Sequence, residues 1–392
     1  MGTGKSNWLG AQYELLFGRP WPVVTAALLV AVANVFLFAF ERPWTASDGM
    51  RNWGDWLFRS LGVLERTELV APWLFSGSIL NLGLLAGAAA AALLSREFAI
   101  RVAPAGELLK GGVGGLLMGA GAVLAFGCNI GGFFSALSAL SLSGLAMMVG
   151  LGMGAYLGLR YLLWEADRWP VLSTGRSWTW CAAHSMGMGT QPVLGVLLLV
   201  VLLALPFAYN GFGYTPQGGF LLFGVAFGVI FQRSRFCLVR AFREPFMTGD
   251  GDHTRAAALA LAISVLGFSI LKFTDLKDAT TWVFPGFWLG GLSGGVLFGV
   301  GMVLAGGCGA GSIWRAGEGQ VKLWVAVLGF SLSGSLVREA VLQRQLLPRV
   351  GAAIFLPNVA GWGPALFLVL GLLMAWYLFA VWNEESRRFS LT

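Results

Sequence analysis

Residues 106–132 read GELLKGGVGGLLMGAGAVLAFGCNIGG, and residues 286–312 read GFWLGGLSGGVLFGVGMVLAGGCGAGS. At a constant offset of 180 residues, Gly111, Gly114, Gly115, Gly119, Gly121, Gly127, Cys128 and Gly131 fall on Gly291, Gly294, Gly295, Gly299, Gly301, Gly307, Cys308 and Gly311. Self-similarity in register marks a duplicated unit. Each copy is an apolar run long enough to cross a bilayer before it meets its cysteine. A second echo lies upstream: Gly83 and Gly87 lead to Ser95-Arg96-Glu97-Phe98, and Gly224 and Gly228 lead to Ser234-Arg235-Phe236-Cys237.

The surrounding chain supports a membrane setting. Its 392 residues are 57% hydrophobic and 11% charged, where a soluble domain carries roughly 25% charged residues. Apolar runs predict spans at 20–40, 74–94, 107–127, 143–164, 192–208, 217–232, 254–273, 286–306, 321–338 and 362–382. Tryptophans such as Trp21, Trp44, Trp73, Trp164 and Trp382 fall near span ends, as interfacial anchors do. The expected fold is all-α: a polytopic membrane helical bundle of about 9–10 transmembrane helices with short re-entrant helices.

The repeat divides the chain into two pseudo-symmetric halves, 74–165 and 217–340, joined by a linker with one span at 166–216. An N-terminal span and amphipathic extension (1–73) and a C-terminal span and tail (341–392) flank them within one membrane domain. The second half inserts a whole span, 254–273, where the first has a short connection. An odd number of crossings then separates the glycine segments, so they should run in opposite directions. That is an inverted repeat, which places a site near the bilayer midplane.

The net charge of +7 is no nucleic-acid signal. With N- and C-termini cytoplasmic, the inner segments hold 17 of the 26 Lys and Arg and the outer ones 9, as the positive-inside rule asks. Residues 20–40 are too long for the core of a cleavable signal and read as a first span.

The chemistry should sit at the glycine breaks. Glycine around Cys128 (Gly127) and Cys308 (Gly307, Gly309) ends helix cheaply, and broken backbone survives in a bilayer only where protein or water satisfies it. Two facing breaks would offer amide N–H groups to an anion, with a thiol at the narrowest point. The earlier glycines of each copy read instead as close-packing positions. Asn129, Arg315, Glu318 and Gln320 follow the breaks, and Arg315 with Glu318 also reads as a simple i, i+3 pair. The stretch Arg233–Glu244, RSRFCLVRAFRE, adds Arg235 and Cys237 at a cytoplasmic mouth, although such arginines also suit a positive-inside loop. Cys181 and His184, in the polar linker, read as bystanders. The Cys and His spacing fits no disulfide framework or metal site. No Walker, HExxH or dinucleotide motif stands in its proper context, and Gly249–Asp252 lacks an EF-hand glutamate. No enzyme activity, cofactor or metal is expected.

The stretches RSRFCLVRAFRE, LAGGCGAGSIWRAGEG and SREFAIRVAP…GCNIGG resemble the signature segments of the YeeE/YedE family of sulfur-compound membrane transporters, in the YedE-type layout with the SREF half first. The resemblance implies a helical bundle pinched at its centre in the cell's inner membrane. It implies that Cys128, Cys237 and Cys308 line a central path and contact a small sulfur anion, thiosulfate-like, through weak S–H hydrogen bonds. The YedE-type branch is associated with selenium as well as sulfur. Family members often work beside a small cytoplasmic TusA-like sulfur carrier. A membrane protein that transfers thiol or persulfide equivalents is the alternative reading; it needs a reactive thiol and a resolving partner.

Overall fold

The computed structural model describes residues 8–63, 68–169, 175–180 and 189–391. After a short α1 (Trp8–Tyr13) come α2 (Val23–Phe40), α3 (Ser47–Ser60), α4 (Ser76–Leu94) and α5 (Ala105–Leu124). A π-helical turn, Asn129–Ser135, runs into α6 (Ala136–Ser138), followed by α7 (Leu142–Arg168) and α8 (Thr190–Gly211). The second part contains α9 (Thr215–Ser234), α10 (Leu238–Met247), α11 (Asp252–Phe273), α12 (Leu289–Ala305), α13 (Gly309–Gly317) and α14 (Val321–Gln343). Short α15 (Leu347–Val350) and α16 (Leu356–Ala360) precede the last long helix, α17 (Trp362–Ser386). Among the described residues the only sheet is a two-stranded antiparallel ribbon, β1 (Ile100–Val102) with β2 (Trp178–Trp180).

Among the described residues ten helices are long and apolar enough to cross a membrane, one at each expected span. The chain is therefore a multi-pass membrane protein. Helices 143–164 and 192–208, on which the direction argument depended, both form at full length, as α7 and α8. Leu197, Val200 and Phe207 of α8 and Phe367 of α17 face outward at more than half exposure, as suits lipid-facing helices.

The glycines decide how the centre packs. A Cβ on Gly114 would lie 2.5 Å from the Gly301 carbonyl oxygen, and one on Gly301 would lie 2.6 Å from that of Gly114. Gly121 and Gly294 repeat the relation at 2.5 and 2.6 Å. Low numbers on α5 thus meet high numbers on α12, so the two glycine segments cross antiparallel. Position 114 is the repeat mate of 294, and 121 of 301, so one contact maps onto the other. The packing of α5 on α14 is mirrored by that of α12 on α7. These are marks of a two-fold axis perpendicular to the helices.

The upstream echo behaves differently. Gly83 lies against Gly224, and Gly87 and Gly228 meet further along, so α4 and α9 run in the same direction. Glycine allows close contact there too, but α4 and α9 cannot be mates in the inverted relation.

Candidate functional site

Three helix starts meet at the centre. After α5, the Gly127 N–H donates to the Ala122 carbonyl (2.8 Å), and the chain turns through extended backbone at Cys128 (φ −71°, ψ −179°). After α12, Gly306 adopts a left-handed conformation (φ 77°), and Cys308 repeats the extended geometry (φ −80°, ψ −174°). The Cys128 carbonyl accepts from Gly132 N–H and the Cys308 carbonyl from Ser312 N–H, both at 2.7 Å. The two breaks are thus built alike. The third start follows α9, where Arg235 turns left-handed (φ 56°) and Cys237 caps α10.

All three cysteines are free and buried. Their side chains surround the first turn of α13. A Cβ on Gly309 would stand 3.3 Å from Cβ and 3.6 Å from Sγ of Cys128. One on Gly311 would stand 3.1 Å from Cys308 Sγ and 3.6 Å from Cys237 Sγ. The Cys237 and Cys308 thiols therefore converge on one point beside Gly311. Gly311 N–H donates to Cys308 Sγ at 3.3 Å.

Asn129 is fully buried, yet neither amide atom has a hydrogen-bond partner among the described residues. Ser312 Oγ and Trp314 Nε1, on α13, also have no hydrogen-bond partner among the described residues. Buried polar atoms without partners are uncommon and costly. Asn129 stands directly after Cys128 and Ser312 in the first turn after Cys308, beside first-turn N–H groups that have no intrahelical acceptor. Together they form a neutral set of donors suited to a small anion with a soft atom. Close packing explains the remaining glycines: a Cβ on Gly127 would strike Gly132 N, and one on Gly307 would approach Ser312 Oγ at 3.1 Å.

On the Cys237 side of the thiols, charged groups pair with one another. Arg235 pairs with Glu318 and with Glu97 (2.7 Å to the latter), its guanidinium over the Trp314 ring at 5.5 Å. Gln320 donates to Glu318 at 2.6 Å. Arg315 does not pair with Glu318, as the i, i+3 spacing suggested; it donates to the Gly306 carbonyl at 2.7 Å and lies over Trp314. The reason is position: Glu318 points toward Arg235 of the other helix start, while Arg315 folds back on its own break. Arg233 is buried and donates to the Arg19 carbonyl at 2.7 Å.

Sequence reasoning missed two groups. Glu97 lay inside a quoted motif but was not assigned, although its place beside Arg96 in the echo was available. Thr45 and Ser47 had no signal, yet the Cys128 N–H donates to Ser47 Oγ (3.1 Å) and Thr45 Oγ1 lies 3.9 Å from Cys128 Sγ. Lys272, buried on α11, donates to the Ala139 and Ala279 carbonyls at 2.9 Å each and so anchors the end of α6. Carboxylates of Asp250, Asp252 and Glu384 converge at the far end of α11, where Arg255 pairs with the latter two. Cys181 and His184 lie outside the described residues.

An all-helical bundle with broken helices meeting at its centre, and unpartnered donors there, is the architecture of a membrane transporter. A family model described as sulphur transport matches residues 5–157 and 233–391, and the chain belongs to that family. It is 28% identical to a probable transporter, YedE, of Escherichia coli (strain K12) over 335 residues, 81% of this chain and 80% of the relative. It is 35% identical to the thiosulfate transporter TsuA of the same strain over 119 residues, 30% of this chain and 33% of the relative. The TsuA of Spirochaeta thermophila is 32% identical over 158 residues, 39% of this chain and 47% of the relative. These relatives are named as transporters, not enzymes.

Proposed function

We propose that the chain is a permease for a small sulfur-containing anion, thiosulfate-like, which passes Cys128, Cys308 and Cys237 in turn. The carrying observation is the convergence of three buried free thiols on Gly309 and Gly311 beside the unpartnered amide of Asn129. A thiosulfate-like ion has a soft terminal sulfur and hard oxygens. Polarisable thiols suit the first, and amide and first-turn N–H donors suit the second without fixed positive charge that would trap it. Arg235 and Arg315 then attract the anion past the thiols. The protein would sit in the inner membrane, as the resemblance implies, with both termini cytoplasmic, an orientation that the Lys and Arg asymmetry favours. A TusA-like carrier would take the cargo on the inner side, and a selenium analogue fits the same donors.

Uptake into proteoliposomes, compared across thiosulfate, sulfite, sulfate and selenium analogues, tests this reading. Selective uptake of thiosulfate or its selenium analogue supports it; equal uptake of sulfate, or none of any, refutes it.

One observation favours a second reading. Cys237 and Cys308 converge beside Gly311, so one could take a sulfane sulfur from thiosulfate, releasing sulfite and forming a persulfide. Mass spectrometry of protein recovered during turnover distinguishes the two, since a path of weak contacts leaves all three thiols unmodified.

A further inference from the structure

The inverted relation reaches further than the glycine segments. Trp21 N–H donates to the Arg233 carbonyl at 2.9 Å, joining the start of α2 to the end of α9. At the other end, a Cβ on Gly219 would lie 2.5 Å from the Phe40 ring. α2 and α9 are therefore antiparallel. Each is followed by a short helix (α3, α10), then a long one (α4, α11), then the glycine segment, break and long helix. Packing is mirrored pair by pair: α4 on α9 as α11 on α2, and α3 on α14 as α10 on α7. The inverted units are thus 23–168 and 215–343, and residues 23–73, expected to be an extension, belong to the first.

This alignment gives Cys237 a counterpart. Cys237 precedes α10 and reaches Cys308; in the first unit the residues preceding α3 are Trp44, Thr45 and Ala46, and Thr45 reaches Cys128. The mates Gly131 and Gly311 give independent support. A Cβ on Gly311 would crowd Cys308 Sγ and Cys237 Sγ, and a Cβ on Gly131 would collide with Thr45 Oγ1. Thr45 also lines a cavity of about 300 Å³, with Ser47, Arg51, Gly127 and Trp282, at the end of the bundle where α2, α5 and α14 finish. Asp48, which also lines it, is paired with Arg42, and Arg51 Nε is buried without a hydrogen-bond partner among the described residues. Thr45 and Ser47 hydroxyls are 2.9 Å apart. That bond uses one of their two protons, and the remaining one can turn to Cys128 Sγ, 3.9 Å from Thr45 Oγ1, or to an ion in the cavity.

We propose that Thr45 is a fourth contact of the path, the counterpart of Cys237, passing the anion from this cavity to Cys128. It deepens the permease reading and rests on it. The path then runs Thr45, Cys128, Cys308, Cys237, symmetric in position and asymmetric in chemistry. A hydroxyl stands at the end where a hydrated oxyanion enters, and a thiol at the opposite end.

Thiosulfate uptake kinetics of wild type, Thr45→Val and Thr45→Cys in proteoliposomes test this. Valine keeps the shape and removes the donor; cysteine restores a donor of the kind at position 237. Thr45→Val should raise KM about tenfold, the loss of one hydrogen bond to an anion, with a melting temperature near that of wild type. Thr45→Cys should recover most of the affinity. Wild-type kinetics in Thr45→Val, or equal loss in both variants, overturns the role of Thr45 and leaves the permease reading intact. Absence of wild-type uptake overturns both.

Discussion

Gly309 stands against Cys128 of the opposite half: a methyl added to Gly309 would lie 3.3 Å from Cβ and 3.6 Å from Sγ of that cysteine, and 3.4 Å from the terminal methyl of Met50. The two breaks therefore close on one another so that an added methyl would just fill the space between them. Gly309→Ala should fill that contact and lower the uptake rate about tenfold or more. The nearest atom, Cys128 Cβ, need give only a few tenths of an ångström and the Met50 methyl is the end of a flexible side chain, so the stability cost should stay at about 1 kcal/mol. Uptake kinetics beside a thermal unfolding curve in detergent check both parts.

The packing glycines should behave in the opposite way. Gly114→Ala puts a methyl 2.5 Å from the Gly301 carbonyl oxygen, which is backbone and cannot step aside. A loss of about 1–3 kcal/mol of stability is expected, seen as a lowered melting temperature by fluorescence-detected size exclusion. Gly112→Ala is the control, because its nearest neighbour would be a Val325 methyl at 3.4 Å. That change should be neutral or slightly stabilising.

Arg235 and Arg315 share a tryptophan ring but have different roles. Glu318 is 1% exposed and relies on Arg235, so Arg235→Ala leaves a buried carboxylate without its cation. The expected cost is about 3 kcal/mol, at the low end for such pairs because Arg235 is 37% exposed. Arg235→Ala with Glu318→Gln together should recover stability without recovering transport. Arg315→Ala, which frees only the Gly306 carbonyl, should leave the melting temperature within a few degrees of wild type and reduce uptake.

The topology has its own check. With both termini cytoplasmic, a cysteine at Phe212, exposed between α8 and α9, should react with an impermeant maleimide from outside intact cells. One at Phe389, exposed near the C-terminus, should react only after permeabilisation. The reverse pattern would place the cavity lined by Thr45 on the cytoplasmic side.

Much of this was legible because glycine leaves a pattern. Gly114 and Gly294 announce close crossings, and Gly127-Cys128 and Gly307-Cys308 announce breaks, where the chain passes too close to the next turn for a side chain at 127; the left-handed residue of each break stands one place earlier, Phe126 (φ 59°) and Gly306 (φ 77°). The pairing of the breaks followed from register and crossing parity. Arg235's partners were not legible, because an ion pair between residues 97, 235 and 318 depends on which helix ends share a side of the bundle. The pairing of α2 and α3 with α9 and α10 was also hidden. α2 and α3 carry no glycine signature matching α9 and α10, and the echo of Gly83 and Gly87 in Gly224 and Gly228 joins α4 to α9, neighbours running in the same direction. Thr45 is invisible for the same reason: its mate is a cysteine, and only the backbone relates them.

The central claim is that the anion passes from thiol to thiol, and serine substitution tests it most directly. Radiolabelled thiosulfate uptake should be measured in proteoliposomes for Cys128→Ser and Cys308→Ser, each shown to be folded by its melting temperature. Serine keeps a donor of similar size and removes the soft sulfur, so both variants should lose uptake while remaining folded. Wild-type uptake in both would contradict the account.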